Sequence, residues 1–148
     1  MKKNILITGV NGQVGTKLHD YLNQISGFKI IASDIGENRY GFSTYEKLDV
    51  TNRKDIANVV KKYNINEIYH LAAILSSAGE QNNQLAWDVN MNGLMNILCV
   101  SRDCKVNRFF YPSSIAVFGG PFPNGVAHQN LLSTPTTMYG INKLAGEN

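Results

Sequence analysis

A tyrosine and a lysine near the end of the chain have the spacing of a proton-transfer pair. Tyr139 and Lys143 are four residues apart in a helical pattern that opens near Thr136, and this spacing places both on one helix face. A phenol is a poor proton acceptor at neutral pH, whereas a nearby ammonium favours the phenolate and makes it usable as a general acid/base. The same spacing is common on solvated helix faces, so the pair indicates a catalytic role only when other motifs of the chain support it.

A pair of hydroxyl groups precedes these two residues in the chain. Pro112-Ser113-Ser114 follows directly after an apolar, strand-like run. Residues just beyond the carboxyl ends of parallel strands line the ligand crevice of a sheet. Either serine could therefore orient a reacting oxygen.

Three glycines near the start of the chain form a turn suited to a phosphate group. The segment from Thr8 to Gly15 lies between an apolar strand run and a helical pattern. Backbone N–H groups at a helix N-terminus attract a pyrophosphate. A Cβ at Gly9 or Gly12 would hold that ligand away, and Gly15 lets helix and strand pack closely. The context favours a dinucleotide site over a simple tight turn, and its expected members are Gly9, Asn11, Gly12, Gln13, Val14 and Gly15.

An acidic residue ends the second predicted strand. Asp34 comes 19 residues after the last glycine of the turn, where a carboxylate accepts hydrogen bonds from adenosine ribose hydroxyls and repels a 2′-phosphate. It could instead cap a turn. No Lys or Arg follows before Arg39, so NAD is favoured over NADP.

Two further positions could contact the same cofactor. Lys143 could bind the nicotinamide ribose. Asp49-Val50 could touch the adenine, or Asp49 could cap a helix.

Strand-like apolar runs alternate with helix-period segments along the chain. The predicted strands are Lys3–Thr8, Phe28–Ser33, Glu46–Asp49, Glu67–Leu71 and Arg108–Pro112, and the predicted helices are Gln13–Gln24, Arg53–Tyr63 and Gln84–Asp103. This alternation predicts a doubly wound α/β fold, with right-handed crossovers and helices on both faces of a parallel sheet. From Gly119 to Thr137 we expect a long loop, and such loops are usually functional or disordered.

One asparagine lies on a helix face that should be buried. Asn90 shares a face of the third predicted helix with Leu94 and Leu98, so its amide needs hydrogen-bond partners. It could hold backbone near the site, hold a water that feeds Lys143, or be purely structural.

The histidines and cysteines carry little functional signal. His70 ends a strand and is interpreted as structural. His19 and His128 have no second ligand at metal spacing, so we expect no metal site. Cys99 and Cys104 match no metal or redox spacing and are interpreted as reduced packing residues.

The composition excludes several other classes of protein. The chain has 148 residues, 43% of them hydrophobic, which suits one globular domain. Its 14 Lys+Arg and 11 Asp+Glu give a net charge of +3 with no basic block, so nucleic acid is not expected as a partner. No apolar run approaches the roughly 18–20 residues of a membrane span, and the first apolar run is too short for a signal peptide. We expect a soluble, cytoplasmic protein with no membrane partner.

Together these motifs resemble those of the extended short-chain dehydrogenase/reductase family. The matching pieces are Thr8 to Gly15, Asp34, Asp49-Val50, His70-Leu71-Ala72-Ala73, Asn90, Ser113-Ser114 and Tyr139-x-x-x-Lys143. The resemblance implies a Rossmann fold, NAD as cofactor, Tyr139 as acid/base and Ser114, not Ser113, as the hydroxyl that positions the substrate oxygen. It also implies a wider set of cofactor contacts: Ile35, Leu71, Ala72, Ala73 and Asn90, beside Asp34, Asp49, Val50, Tyr139 and Lys143.

Within that family, residues 71–80, 86–94 and 112–119 look most like the NAD-dependent L-threonine 3-dehydrogenases. This likeness implies oxidation of the 3-hydroxyl of L-threonine to 2-amino-3-ketobutyrate, with Ser76 as a substrate contact beside Ser114 and Tyr139. Phe118 stands where sugar-modifying relatives often carry Tyr. A nucleotide-sugar epimerase or dehydratase and a non-catalytic nucleotide-binding module are the alternatives.

The length departs from this resemblance, because such enzymes are considerably longer chains. Residues 1–148 would form the NAD-binding Rossmann domain, incomplete on the C-terminal side of its sheet and without the substrate-binding part. We hypothesise that the chain is the cofactor-binding half of a longer enzyme. The full-length enzyme is expected to be a homodimer.

Overall fold

The computed structural model describes residues 2–120 and 128–148. By its internal contacts the chain divides into two compact units. One consists of Met1–Ala72 and Gly93–Pro112, and we call it the sheet unit. The other consists of Ala73–Asn92 and Ser113–Asn148, and we call it the helical unit.

The sheet unit is built on parallel strands. In the described residues these are β1 (Lys3–Thr8), β2 (Phe28–Asp34), β3 (Tyr45–Lys47), β4 (Glu67–His70) and β5 (Arg108–Phe110). Their order is β3-β2-β1-β4-β5, and every neighbouring pair is parallel. The chain moves outward from β1 to β3 and then returns to β4, which reverses the winding between β1 and β4. The predicted doubly wound, Rossmann-like α/β fold is confirmed, and its ligand crevice is expected at that reversal.

The α-helices in the part of the chain that the structure describes are α1 (Gln13–Asn23), α2 (Arg53–Tyr63), α3 (Ser76–Gln81), α4 (Asn83–Trp87), α5 (Gly93–Asp103) and α6 (Met138–Glu147). In the sheet unit, side chains alternate between the two faces of each strand. Ile5 and Ile7 of β1 pack in one cluster with Leu22 of α1. The helices α2 and α5 pack against each other. Each fully buried aliphatic side chain contributes about 1.5–3 kcal/mol, so this core fixes the strand ends that carry the site.

Most predicted boundaries in the sheet unit are close to those observed. The helix Arg53–Tyr63 is as predicted, because Asn52 accepts hydrogen bonds from the N–H groups of Lys54 and Asp55 and so caps its start. Its end is set by Asn64, which adopts a left-handed conformation with φ of 47°. The fifth strand ends at Phe110 and not at Pro112, since proline donates no N–H to a ladder.

The predicted helix from Gln84 to Asp103 is confirmed as one continuous helical stretch, but it is not α-helical throughout. The chain forms α4, then a π-helical turn over Asp88–Asn92, and then α5. Leu98 is 38% exposed, whereas Leu94 is buried, so the expected buried stripe fails at Leu98. Successive steps of four residues drift around a helix of 3.6 residues per turn, and the buried face of α5 instead continues through Ile97 and Val100.

The helical unit contains α3, α4, the π turn, a short 3-10 turn at Ile115–Phe118 and α6. Sequence patterns missed α3 and the 3-10 turn because each is too short to show a period. The long loop expected from Gly119 to Thr137 falls partly on residues 121–127, which lie outside the described residues. Residues 128–137 contain no helix or strand. No helix in the described part of the chain has the length and apolar character needed to cross a membrane.

Candidate functional site

The glycine turn of the sheet unit is shaped by backbone contacts. Gly9 has a φ of +69°, and a Cβ there would lie 2.6 Å from the backbone N of Ala72. Because glycine has no side chain, the backbone that leaves β4 can approach Gly9 closely. The sequence predicted that a ligand, and not this backbone, would occupy the space. The requirement for glycine is confirmed with a different neighbour, because the carboxyl ends of β1 and β4 lie side by side.

The other two glycines bring the turn and α1 together. The N–H of Gly12 donates to the carbonyl of Gly9 at 3.1 Å. A Cβ on Gly15 would lie 2.5 Å from that carbonyl oxygen, so glycine here lets the first turn of α1 pack directly on the glycine turn. Gly12 is the N-cap of α1 and offers no side-chain cap. The first N–H groups of a helix have no partner within the helix, so this end suits a pyrophosphate.

The carboxylate of Asp34 is held by two backbone N–H groups. Its Oδ2 accepts from Asn11 at 3.0 Å, and its Oδ1 accepts from Gly36 at 3.1 Å. Asp34 therefore caps a turn, as the alternative interpretation proposed, and ties that turn to the glycine turn. Each carboxylate oxygen keeps a further lone pair, so the same group can still accept from ribose hydroxyls. Beside it, Ile35 is 64% exposed.

Two candidate adenine contacts, Asp49 and Val50, follow β3 in the sheet unit. Asp49 Oδ1 accepts from both the N–H and the hydroxyl of Thr51, each at 2.8 Å. The alternative role of Asp49 as a helix cap is wrong, because Asn52 caps α2. Val50 is buried, and a Cβ on Gly93 would lie 2.8 Å from its Cγ2. Their contact with an adenine stays a prediction.

A threonine and a histidine join the strand ends beneath the glycine turn. The hydroxyl of Thr8 lies 2.8 Å from Nδ1 of His70, and it also accepts from the N–H of Ala72 at 3.3 Å. His70 is 1% exposed, which agrees with its structural interpretation. The sheet unit thus combines a helix start without a side-chain cap, a turn with glycine at positions 9 and 12, and the carboxylate of Asp34.

In the helical unit, α6 carries the predicted proton-transfer pair. Lys143 is 3% exposed, and its Nζ lies 5.6 Å from the centre of the Tyr139 ring. Burial lowers the pKa of Lys143 to about 8, because a charged amine loses hydration there. Tyr139 is half-buried. The predicted sharing of one helix face is confirmed by this distance.

The candidate serine lies on an element packed directly against α6. Ser114 Oγ accepts from the N–H of Ala116 at 3.2 Å and so caps the 3-10 turn. A Cβ on Gly140 would lie 2.5 Å from the carbonyl oxygen of Ala116, so this glycine lets α6 meet the turn. The Ser114 hydroxyl retains its own proton to donate. Ser113 is exposed and bonds Glu147, and the choice of Ser114 over Ser113 stays a prediction.

Asn90 is a backbone clamp within the helical unit. Its Oδ1 accepts from the N–H of Ile74 at 2.8 Å, and its Nδ2 donates to the carbonyl of Ile74 at 3.0 Å. The same Nδ2 lies 3.2 Å from Oδ1 of Asn142, a residue with 0% exposure. Of the roles left open, holding backbone near the site is the one with direct contacts. Its contact with the cofactor stays a prediction.

Sequence reasoning missed two residues of this unit. Asn142 precedes Lys143 and shares its burial, and its only signal was a polar residue inside the Tyr139–Lys143 interval. Glu80 accepts a hydrogen bond from the N–H of Met138 at 2.5 Å. Those two residues are 58 positions apart, so no local pattern could reveal the contact.

The candidate residues divide between the units. The sheet unit holds Gly9, Asn11, Gly12, Gln13, Val14, Gly15, Asp34, Ile35, Asp49, Val50, Leu71 and Ala72, and the helical unit holds Ala73, Ser76, Asn90, Ser114, Tyr139 and Lys143. Cys99 and Cys104 are free and half-buried. In residues 2–120 and 128–148, no group of three or more His, Cys, Asp or Glu side chains could hold a metal ion.

A glycine turn at the winding reversal, followed by an acid at the end of β2, is typical of enzymes that bind a dinucleotide. The chain belongs to the NAD dependent epimerase/dehydratase family, whose model matches residues 5–148. NAD is the cofactor of that family. The enzyme class expected from the extended short-chain dehydrogenase/reductase resemblance is therefore confirmed.

Three individual relatives show which members of the family this chain is similar to. An uncharacterized epimerase/dehydratase of Staphylococcus haemolyticus is 43% identical over 98% of this chain and 47% of its own length. A GalE-like L-threonine dehydrogenase from Cupriavidus necator, in its holo form, is 43% identical with a TM-score of 0.91, over 97% of this chain and 48% of that one. The L-threonine dehydrogenase of Clostridium difficile is 38% identical with a TM-score of 0.89, over 99% and 47%. The chain thus spans about half the length of the relatives it matches.

Proposed function

We propose that this chain is the cofactor-binding part of an NAD-dependent enzyme that oxidises the 3-hydroxyl of L-threonine to 2-amino-3-ketobutyrate. The observation that carries the proposal is the Tyr139–Lys143 pair on α6, with a buried lysine 5.6 Å from the tyrosine ring. The likeness to L-threonine dehydrogenases at 38–43% identity supports the choice of substrate. We further propose that the full-length enzyme is a cytoplasmic homodimer.

In this proposal, the sheet unit binds the cofactor. The first N–H groups of α1, with Gly9 and Gly12 beside them, would hold the pyrophosphate. Asp34 would accept from the adenosine ribose hydroxyls and, by its charge, disfavour a 2′-phosphate. When bound, NAD supplies the acceptor for the hydride that leaves C3 of the substrate.

The helical unit supplies the proton chemistry. Tyr139 would remove the proton of the 3-hydroxyl as a general base. Ser114 would donate its hydroxyl proton in a hydrogen bond to the same substrate oxygen, which fixes the alcohol for transfer. Lys143 would hold the phenolate form of Tyr139 while its amine is protonated, and Ser76 would contact the substrate. The alcohol therefore loses one hydride and one proton and becomes a ketone.

The first experiment uses wild type and Tyr139→Phe. It measures NADH formation with L-threonine by absorbance. In parallel it measures conversion of UDP-glucose by chromatography, because epimerisation or dehydration returns the hydride and releases no NADH. We expect threonine-dependent NADH formation that falls about 10²–10⁴-fold in Tyr139→Phe, the usual contribution of a general acid/base. NAD affinity, measured by calorimetry, should fall much less than turnover, because the backbone donors of the turn stay in place and only the hydroxyl of one expected cofactor contact is lost.

The measurement should be made on this chain and on the protein encoded by its complete gene. Turnover of the sugar nucleotide without turnover of threonine would replace the proposed substrate by the epimerase/dehydratase alternative. NAD binding with no loss of function in Tyr139→Phe would instead favour a non-catalytic module.

A further inference from the structure

In the helical unit, one segment is tied to α6 at two points, each directly before one member of the proton-transfer pair. The segment Ile74–Glu80 includes Ser76 and most of α3. At its far end, Glu80 accepts from the N–H of Met138 at 2.5 Å, and Met138 directly precedes Tyr139. At its near end, Ile74 is clamped by Asn90.

The second tie runs through a buried amide pair. Asn90 donates to Oδ1 of Asn142 at 3.2 Å, and Asn142 directly precedes Lys143. Both amides are buried, with 3% and 0% exposure. An unpaired amide in such a place costs about 1–3 kcal/mol, so the pair favours one arrangement of Ile74 relative to α6.

Glu80 does more than complete the start of a helix. The first turn of α6 already has a cap, because Thr137 Oγ1 accepts from the N–H of Gly140 at 3.0 Å. Glu80 is exposed and lies on another helix. A helix of six residues such as α3 is marginal by itself. Its placement therefore depends on contacts such as this one.

We propose that Glu80 and Asn142 are positioning residues, which hold the Ser76 segment at a fixed place beside the helix of Tyr139 and Lys143. Glu80 bonds the residue before Tyr139, and Asn142 is itself the residue before Lys143. The two ties therefore set both ends of the segment. The kinetic part of this proposal rests on the proposed function, whereas the structural part does not.

The main test compares Glu80→Ala with Glu80→Gln, which keeps an oxygen acceptor, and with Gln81→Ala as the exposed neighbour on α3. Hydrogen exchange is measured at the amides of Ser76–Gln81 and Met138. We expect exchange about tenfold faster in Glu80→Ala, the effect of losing one charge-assisted bond. Glu80→Gln should recover most of the protection, and Gln81→Ala should match wild type.

The kinetic readout separates positioning from mere stability. In the protein encoded by the complete gene, Glu80→Ala should raise KM for L-threonine about three- to tenfold and lower kcat less, with NAD affinity unchanged, since one hydrogen bond to the segment is lost. Unchanged exchange in Glu80→Ala overturns the proposal. Faster exchange with unchanged KM and kcat also overturns it, because the bond would then serve stability alone.

A second pair of variants tests the buried tie. Asn142→Leu removes the acceptor at similar volume, and Asn142→Asp keeps it. The Ile74 amide should exchange about tenfold faster in the leucine variant than in the aspartate variant. Equal exchange in the two would overturn the role of Asn142. If wild type fails to oxidise L-threonine, the proposed function falls, and the exchange measurements still decide both ties.

Discussion

The glycine turn and the proton-transfer pair are built by different means. The glycine turn is shaped chiefly by its backbone, through the φ of Gly9, its approach to Ala72 and the strand register beneath it, and the Asp34 carboxylate adds a bond to the N–H of Asn11. The pair on α6 is held by side-chain bonds from Asn90, Asn142 and Glu80. A backbone-built site fails as a whole when its geometry is disturbed, whereas a site built by side chains can lose one bond and keep the rest.

The largest expected effect is at Gly9. Gly9→Ala must adopt a φ of +69° and place its Cβ 2.6 Å from Ala72 N. The strained backbone costs about 1–2 kcal/mol and the overlap about 1–3 kcal/mol more. We expect urea unfolding to show a loss of about 2–5 kcal/mol, and calorimetry to show no NAD binding.

Gly41 offers the matched control, since it has a φ of +67° with no atom within 4 Å of an added Cβ. Gly41→Ala should lose only about 1–2 kcal/mol and bind NAD normally. Equal losses in the two variants would show that conformation alone, and not the close approach to β4, makes Gly9 necessary.

The next effect concerns the pH dependence of stability through Lys143. Its folded pKa of about 8 lies below the usual 10.5, so between these values the unfolded chain binds more protons. The free energy of unfolding therefore rises with pH across this window. Relative to Lys143→Met, wild type should gain up to about 3 kcal/mol between pH 7.5 and pH 10.5.

Urea titrations at several pH values measure this difference, with Lys2→Met as an exposed control that should show no such gain. A gap between wild type and Lys143→Met that stays constant with pH would mean that the amine remains hydrated in the folded protein.

A smaller effect is expected at Gly140. A Cβ there would lie 2.5 Å from the carbonyl oxygen of Ala116 and 3.0 Å from Cβ of Pro135, so Gly140→Ala must shift α6 from the turn of Ser114. Kinetics should show a roughly 10- to 100-fold loss of kcat, the cost of a small misplacement, with NAD affinity retained.

Gly79→Ala is the control for a helical glycine in the same unit, because its Cβ would meet Ala86 at an ordinary 3.4 Å. It should be neutral or slightly stabilising, since alanine favours helix by up to about 1 kcal/mol. Loss of NAD binding in Gly140→Ala would contradict the assignment of cofactor binding to the sheet unit and proton transfer to the helical unit.

The smallest effect tests the carboxylate of the sheet unit. Asp34→Asn keeps an acceptor for Asn11 but loses the charge, so NAD affinity should fall about tenfold while NADP binds relatively better. Calorimetry with both nucleotides measures the ratio. Glu37→Gln, a change of an exposed acid in the same loop, should leave that ratio as in wild type.

The sheet unit was largely predictable because its signals are local. The strand Lys3–Thr8 and the helix Arg53–Tyr63 follow from apolar periodicity and the cap at Asn52. The glycine turn was also found, although the sequence could not show that Gly9 makes room for Ala72. That neighbour comes from β4, far along the chain.

The helical unit was less predictable because its contacts join distant residues. Spacing alone placed Tyr139 beside Lys143, yet Glu80 and Asn142 escaped notice. The π turn was also missed, since apolar spacing cannot distinguish it from an ordinary turn over five residues. Ser114 was separated from Ser113 only by family resemblance, and that choice stays a prediction.

The π turn at Asp88–Asn92 restricts which insertions and deletions this protein can tolerate. Such a turn carries one more residue than an α-turn, and Asn90 lies at its midpoint. Removing a single amino acid there would restore regular winding and swing the neighbouring side chains by about 100°. The amide would then face away from Ile74. We therefore expect variants with a one-residue deletion in this stretch to lose the clamp on Ile74, even though their helix would be more regular.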